Sequence, residues 1–176
     1  DEEMKMNEIS EIIIDKNNIA HPNFGGVGFH VFYHVHKPTK DHIDQVIYKR
    51  WRELNPSFAR MTDHWDWNKE MIDNLAFHMN LLSDAGTEVY LTTWNPKDTE
   101  EGEERVSYAK KVVDNLEYLV REKETTNLKY YCMTNELSLN QWGIMQNDMP
   151  KFRAYHQKIY DELKARKLDI KLLASD

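Results

Sequence analysis

The stretch "NKEMIDNLAFHMNLLSDAGTEVYLTTW" (residues 68–94) changes from one hydrophobic periodicity to another within a few residues. Its first part, 68–86, predicts a helix because apolar residues recur at helical spacing, at Met71, Leu75, Met79 and Leu82. Asn68 can cap that helix and Gly86 can end it. Residues 87–94 are rich in β-branched and aromatic residues and predict a strand. A helix that leads directly into a strand is typical of βαβ units, which build parallel sheets.

The same order of strand and helix repeats on both sides of this stretch. Strand-like runs occupy 26–33, 56–62, 87–94, 128–136 and 169–176. Helical patterns occupy 39–54, 68–86, 103–123 and 149–167. The links that follow the strands carry His, Trp, Asn and Glu, and in a (β/α)8 barrel such links form the active-site face. We therefore predict an α/β fold that forms the first half of a (β/α)8 TIM barrel, with about five parallel strands and four helices.

The chain divides into a lead-in and a barrel half. Residues 1–22 are predicted to be a lead-in with one short strand at "EIIIDKN" (11–17). Residues 23–176 form the barrel half, which stops after the fifth strand. A half barrel leaves two sheet edges unpaired, and unpaired edges attract other strands. We therefore expect the remainder of the barrel, a missing C-terminal half or a second chain, to be a partner of this chain.

Composition limits the classes of partner. The 176 residues carry a formal net charge of −7, with 40% hydrophobic and 30% charged residues, as in ordinary globular domains. The acidic excess argues against binding to nucleic acids or anionic membranes, because phosphates would be repelled. No apolar run approaches the roughly 20 residues that span a bilayer. The single cysteine, Cys132, excludes an intrachain disulfide and a Cys-based zinc site.

The strand "LKYYCMTNE" (128–136) ends on an amide and a carboxylate side by side, Asn135 and Glu136. The carboxyl ends of barrel strands carry the catalytic groups, so this position favours a functional role. "CMTNE" resembles the acid/base motif of the large clan of retaining glycoside hydrolases built on (β/α)8 barrels. The resemblance implies that Glu136 is the general acid/base and that Asn135 holds the 2-hydroxyl of the sugar.

Three further segments support the resemblance. "FARMT" (58–62) resembles the clan's second strand, which implies that Arg60 is a partner of the nucleophile. "TTWNP" (92–96) resembles the Trp-bearing segment of the glucosylceramidase, xylanase and β-xylosidase-like families. "NFGGVGFH" (23–30) resembles their entry into the barrel from a side β-domain, to which the strand at 11–17 would belong. Leu137 departs from the pattern, since many members carry proline there.

The resemblance implies a glycosidase that cleaves β-linked sugars by double displacement. This mechanism needs a second carboxylate, the nucleophile, about 5–5.5 Å from the acid/base group. By the resemblance it lies on the seventh strand, so this chain alone is expected to be inactive; Asp176, at the end of the fifth strand, is not the candidate. Enzymes of this type are usually exported, which implies a secreted or periplasmic protein. We expect no cofactor and no metal.

Aromatic and polar residues in the strand-to-helix links are candidates for binding the carbohydrate. Sugar rings present C–H faces that stack on indole rings, and an indole N–H can donate a hydrogen bond. The candidates for stacking are Trp65, Trp67, Trp94 and Trp142. The candidates for contacts with sugar hydroxyls are His64, Asn95, His30 and Tyr33.

Two other functions compete with this one. His34 and His36 are two residues apart at the end of the first predicted strand, so both side chains would point the same way. A His-x-His there resembles the metal site of amidohydrolase barrels, in which Glu136 could serve as a further ligand. The resemblance to that family would also imply a histidine at the end of the fifth strand, where this sequence has Asp176. The other alternative is a barrel fragment that binds carbohydrate without cleaving it.

Overall fold

The computed structural model describes residues 13, 15–19, 21–64, 66–93, 103–136 and 148–174, without the side chains of 103–106. The strands are β1 (Gly28–His30), β2 (Phe58–Asp63), β3 (Glu88–Thr93), β4 (Leu128–Cys132) and β5 (Lys171–Leu172). The α-helices are α1 (Lys40–His42), α2 (Tyr48–Leu54), α3 (Lys69–Ser83), α4 (Glu103–Glu117) and α5 (Met149–Ala165). A 3₁₀ helix spans Tyr33–His36, and π-helical turns at Ile43–Ile47 and Tyr118–Glu122 join α1 to α2 and extend α4. None of the helices in these residues is both long and apolar enough to cross a membrane.

The five strands form one parallel sheet in the order β1-β2-β3-β4-β5. Strands that neighbour each other in the sheet are also consecutive in the chain, so a helical segment crosses over between each pair. This arrangement confirms the predicted α/β fold with five parallel strands. It is the topology with which a (β/α)8 barrel is built.

Local sequence signals set the helix ends. The Asn68 side chain accepts a hydrogen bond from the backbone N–H of Met71 (3.0 Å), which confirms Asn68 as the cap of α3. After α3 the chain turns at Gly86, whose φ of +74° suits a residue without a side chain. One predicted core position is wrong: Met71 is 37% exposed and Ile72 is buried instead.

The first, fourth and last strands are shorter than the sequence predicts. The run at 128–136 contributes only Leu128–Cys132, so Asn135 and Glu136 lie just beyond the strand rather than in it. The run at 26–33 contributes only Gly28–His30 to the sheet, because the chain then turns into the 3₁₀ helix. Of the run at 169–176, the described residues 169–174 contribute only Lys171–Leu172, which pairs with β4 within the described sheet. Of the predicted strand at 11–17, Ile13 and 15–17 lie in no strand, and its other residues lie outside the described ones. Each edge strand of the described sheet is therefore held by one neighbour, β1 by β2 and β5 by β4.

The two faces of the sheet differ, because successive side chains of a strand point to opposite sides. Ala59, Met61 and Leu91 are fully buried in the core that the sheet shares with the helices. Phe58, Arg60, Glu88, Tyr90 and Tyr130 alternate with buried residues and are only partly covered or exposed, and we call the side that carries them the open face. A cavity of about 780 Å³ is lined by four of these side chains, those of Phe58, Glu88, Tyr90 and Tyr130, and by residues that precede β2 and β3. It therefore lies toward the amino ends of the strands, whereas Asn135 and Glu136 follow the carboxyl end of β4.

Arg166 connects the two C-terminal helices at the end of α5. Its Nη1 donates to Asp114 (2.5 Å) and Glu117 (3.0 Å) of α4, and its Nη2 donates to Glu162 of α5 (2.9 Å). Only 16% of the Arg166 side chain is exposed. Three carboxylates around one shielded guanidinium form a network, which stabilises a protein more than isolated surface pairs do.

Candidate active site

Arg60 lies on the open face in the middle of β2. It contacts one side chain from β1 and one from the segment that follows β4. Its Nη2 donates to Oδ1 of Asn135 over 2.5 Å, and its Nη1 donates to Nε2 of His30 over 3.0 Å. The guanidinium carbon also lies 5.9 Å from the ring centroid of Tyr90. The structure therefore brings together three residues that sequence analysis selected separately.

The contact with Arg60 orients the amide of Asn135. A guanidinium can only donate hydrogen bonds, so the amide oxygen of Asn135 faces Arg60 and the amide nitrogen faces away. Asn135 is 6% exposed, so its amide is largely shielded from water. The amide nitrogen of Asn135 can therefore donate a hydrogen bond to an acceptor on the side away from Arg60.

The segment that leads from β4 to Glu136 is buried and anchored at one carbonyl. The carbonyl oxygen of Thr134 accepts hydrogen bonds from the hydroxyl of Thr92 (3.0 Å) and from the thiol of Cys132 (3.2 Å). Glu136 follows with a left-handed φ of +51° and an exposed side chain. This backbone conformation is uncommon for a residue other than glycine, but Lys37, Asn55, Glu124 and Lys167 adopt it too, so it does not by itself mark a site.

Two of the predicted carbohydrate contacts pack against each other on the link after β2. The rings of His64 and Trp67 stack with centroids 5.6 Å apart and an interplanar angle of 26°. Trp67 also approaches the ring of His34 (6.1 Å) and lines a crevice of about 260 Å³ with residues of α3 and α4. Trp65, Trp94, Asn95 and Trp142 lie outside the described residues, as do Leu137 and Asp176.

A buried acid that sequence analysis did not select lies at the end of β2. Asp63 is 3% exposed and accepts a hydrogen bond from the hydroxyl of Thr93 (2.6 Å), which is itself 2.5 Å from the hydroxyl of Tyr131. Burial raises the pKa of Asp63 to about 7, against the hydrogen bond from Thr93, which lowers it. The alternation along β2 could have identified Asp63, because Arg60 on the open face places residue 63 on the helix side.

The two histidines considered as metal ligands do not point the same way, so that premise is wrong. They lie in the 3₁₀ helix Tyr33–His36 rather than in a strand. His34 turns into the protein, and its Nε2 bonds the backbone carbonyl of Thr62 (2.8 Å), while His36 is exposed. Within the described parts of the chain, no group of three or more His, Cys, Asp or Glu residues could hold a metal ion.

A second buried histidine lies beside His34. The ring centroids of His34 and His78 are 6.4 Å apart, and the ring of Tyr33 packs edge-on against His78 (4.9 Å). Nδ1 of each imidazole is buried without a hydrogen-bond partner among the described residues. Burial lowers the pKa of both histidines to about 4, because an imidazolium would lose its solvation there.

We expect the free energy of unfolding of His78→Phe, relative to that of wild type, to be higher at pH 5 than at pH 7. Below its unfolded pKa of about 6.5, His78 binds a proton in the unfolded state but not in the folded state until about pH 4, so acidification favours unfolding. Because the variant lacks this ionisable group, the difference in free energy of unfolding between the variant and wild type should rise by about 2 kcal/mol from pH 7 to pH 5. Urea unfolding at both pH values measures the difference, and His42→Phe, at an exposed position, is the matched control. If the variant and wild type showed the same dependence of stability on pH, His78 would not be held neutral in the folded protein.

Comparison of the sequence with models of protein families and with curated proteins gives no match. Comparison of the structure with solved structures gives clear similarities. A wild-type structure of ZgEngAGH5_4 matches with a TM-score of 0.57 and 14% identity over 86% of this chain and 54% of the other. A GH30 endoxylanase from Clostridium papyrosolvens C71 matches with a TM-score of 0.56 and 16% identity over 84% of this chain and 41% of the other.

A third similar structure contains a sugar. It is a GH5_18 variant from Bifidobacterium longum subsp. longum ATCC 55813 in complex with Manβ1-4GlcNAc, with a TM-score of 0.51 and 12% identity over 77% of this chain and 40% of the other. At these identities the similarity establishes the fold, which is that of the TIM-barrel glycoside hydrolase structures. The chain spans about half or less of each of these proteins.

Proposed function

We propose that this chain is part of a retaining glycoside hydrolase that cleaves β-linked sugars, with Glu136 as its general acid/base. The observation that carries the proposal is the contact between Arg60 and Asn135 directly before Glu136. The resemblance links Arg60 of the second predicted strand with Asn135 and Glu136 of the fourth. The likeness to GH5 and GH30 structures supports the same class of enzyme.

The geometry suits the chemistry of the first step. Glu136 protonates the leaving oxygen of the glycosidic bond while a carboxylate attacks the anomeric carbon and forms a glycosyl-enzyme intermediate. The outward amide nitrogen of Asn135 donates to an acceptor, the 2-hydroxyl of the sugar, and that bond strengthens in the transition state. Arg60 keeps the attacking carboxylate ionised by its positive charge. In the second step Glu136 takes a proton from water, which releases the sugar with its configuration retained.

The attacking carboxylate comes from the remainder of the barrel. The open face carries aromatic and charged side chains that the described elements leave partly uncovered, and the described edge strands β1 and β5 each pair on one side only. A further part of a longer polypeptide, or a second chain, closes the barrel over this face. We therefore propose that the present chain alone does not turn over.

The carbohydrate contacts are proposed from residue chemistry. Indole rings of Trp65, Trp67, Trp94 and Trp142 stack on sugar faces, and Asn95 and His64 contact hydroxyls. His64 and Trp67 already stack on each other, so the sugar would meet them as one unit. An exported protein, secreted or periplasmic, fits a polysaccharide substrate.

The test uses the longest natural polypeptide that contains this chain. We expect it to hydrolyse chromogenic aryl β-glycosides, and proton NMR of the first product should show the β-anomer before mutarotation. First release of the α-anomer would refute the retaining mechanism. Loss of activity with a chelator would instead support the metal-dependent hydrolase, and sugar binding without hydrolysis would support the non-catalytic barrel.

A further inference from the structure

His30 faces Arg60 across the pair of strands β1 and β2. The two residues are register partners in the sheet, and Nη1 of Arg60 lies 3.0 Å from Nε2 of His30. Because arginine only donates, Nε2 of His30 must accept, so the imidazole is neutral and carries its proton on Nδ1. The ring of Phe32 contacts the imidazole edge-on, with centroids 5.8 Å apart, and supports this orientation.

Each of the two terminal nitrogens of Arg60 thus has its own hydrogen-bond acceptor. Nη1 is held by His30 from β1, and Nη2 is held by Asn135 beyond β4. A planar guanidinium with fixed donor directions cannot rotate without losing one of these bonds. The ring of Tyr90, the register partner of Arg60 on β3, lies 5.9 Å from the guanidinium carbon and contacts Arg60 from that side. An acceptor at position 30 therefore helps to hold Arg60, and through it the amide of Asn135, in place.

We propose that His30 is a positioning residue, which acts on the reaction through Arg60 and Asn135. This inference rests on the function proposed above. The bond from Asn135 to the 2-hydroxyl strengthens in the transition state, so its misplacement lowers kcat more than it changes KM. A direct sugar contact by His30, in contrast, would chiefly change KM.

The variants His30→Phe and His30→Gln separate these roles in the longest natural polypeptide that contains this chain. Phenylalanine keeps the aromatic contact with Phe32 but removes the acceptor, and we expect kcat to fall about 10- to 100-fold with KM changed less than about twofold. Glutamine supplies an amide oxygen as acceptor, and we expect it to restore kcat to within about threefold of wild type. His42→Phe, on the exposed side of α1, should leave kcat unchanged.

A double-mutant cycle tests the route through Arg60. In an Arg60→Lys background, His30→Phe should lower kcat by less than about twofold further, because the shared interaction is already lost. Additive losses would overturn the proposal, as would a His30→Gln variant as slow as His30→Phe, or an effect confined to KM. His30→Ala replaces the phenylalanine variant if its thermal midpoint shows that it does not fold. Full activity of Glu136→Gln would refute the proposed function itself, whereas a slow Glu136→Gln with an unaffected His30→Phe would refute only the role of His30.

Discussion

Replacing Glu136 by glutamine in the longest natural polypeptide that contains this chain is expected to lower kcat about 10²- to 10⁴-fold for substrates with poor leaving groups. Glutamine has nearly the shape of the acid but cannot transfer a proton to the glycosidic oxygen. The first step should be much less affected when the leaving group is a nitrophenolate, since that oxygen departs without protonation. The measurement is kcat/KM for a series of aryl β-glycosides with leaving groups of increasing pKa. We expect a much steeper dependence for the variant than for wild type.

Glu124→Gln provides a matched control for this experiment. Glu124 is also an exposed glutamate with a left-handed φ, +54° against +51° for Glu136. It precedes β4, at the opposite end of that strand from Glu136. The control should therefore retain wild-type kcat for every leaving group. Equal activities of the two variants would exclude Glu136 as the acid/base group.

The variant Asp63→Asn is expected to be more stable than wild type at pH 8, by a margin that grows as pH rises. In the unfolded chain this carboxyl ionises near 3.8, whereas the folded protein keeps it protonated up to about pH 7. Raising the pH through this window therefore favours the unfolded state of wild type. The stability of wild type relative to the variant should fall by about 2–3 kcal/mol between pH 5 and pH 8. The amide oxygen of asparagine can still accept the hydrogen bond from Thr93.

Urea unfolding at pH 5 and pH 8 measures this difference, with Asp66→Asn at an exposed neighbouring position as the control. The control should show little change with pH. The buried hydroxyls of Tyr131 and Tyr108 are near Asp63, and burial raises the pKa of each, so they stay neutral across this range. A variant less stable than wild type at pH 8 would mean that Asp63 is ionised and paired with a cation in the folded protein.

The order of elements was predictable because it depends on short-range patterns. Helical spacing in 68–86, the cap at Asn68 and the turn at Gly86 act over a few residues, and the structure has each of them. The five parallel strands followed from the alternation of such segments. The ends of the first and last strands were not predictable, since they depend on pairing with a neighbour rather than on residue preference.

The sequence by itself determined the repeat of strands and helices and placed Asn135 and Glu136 near the carboxyl end of the fourth strand, which in the structure ends at Cys132. Only the tertiary structure decided that Arg60 contacts Asn135, 75 residues away, and His30, 30 residues away. It also decided that Asp63 lies in the core and that His34 turns away from His36. Periodicity reports which face a side chain takes, whereas a hydrogen bond between strands and the pKa of a buried group depend on distances and solvent exclusion that arise only when the sheet and the helices pack.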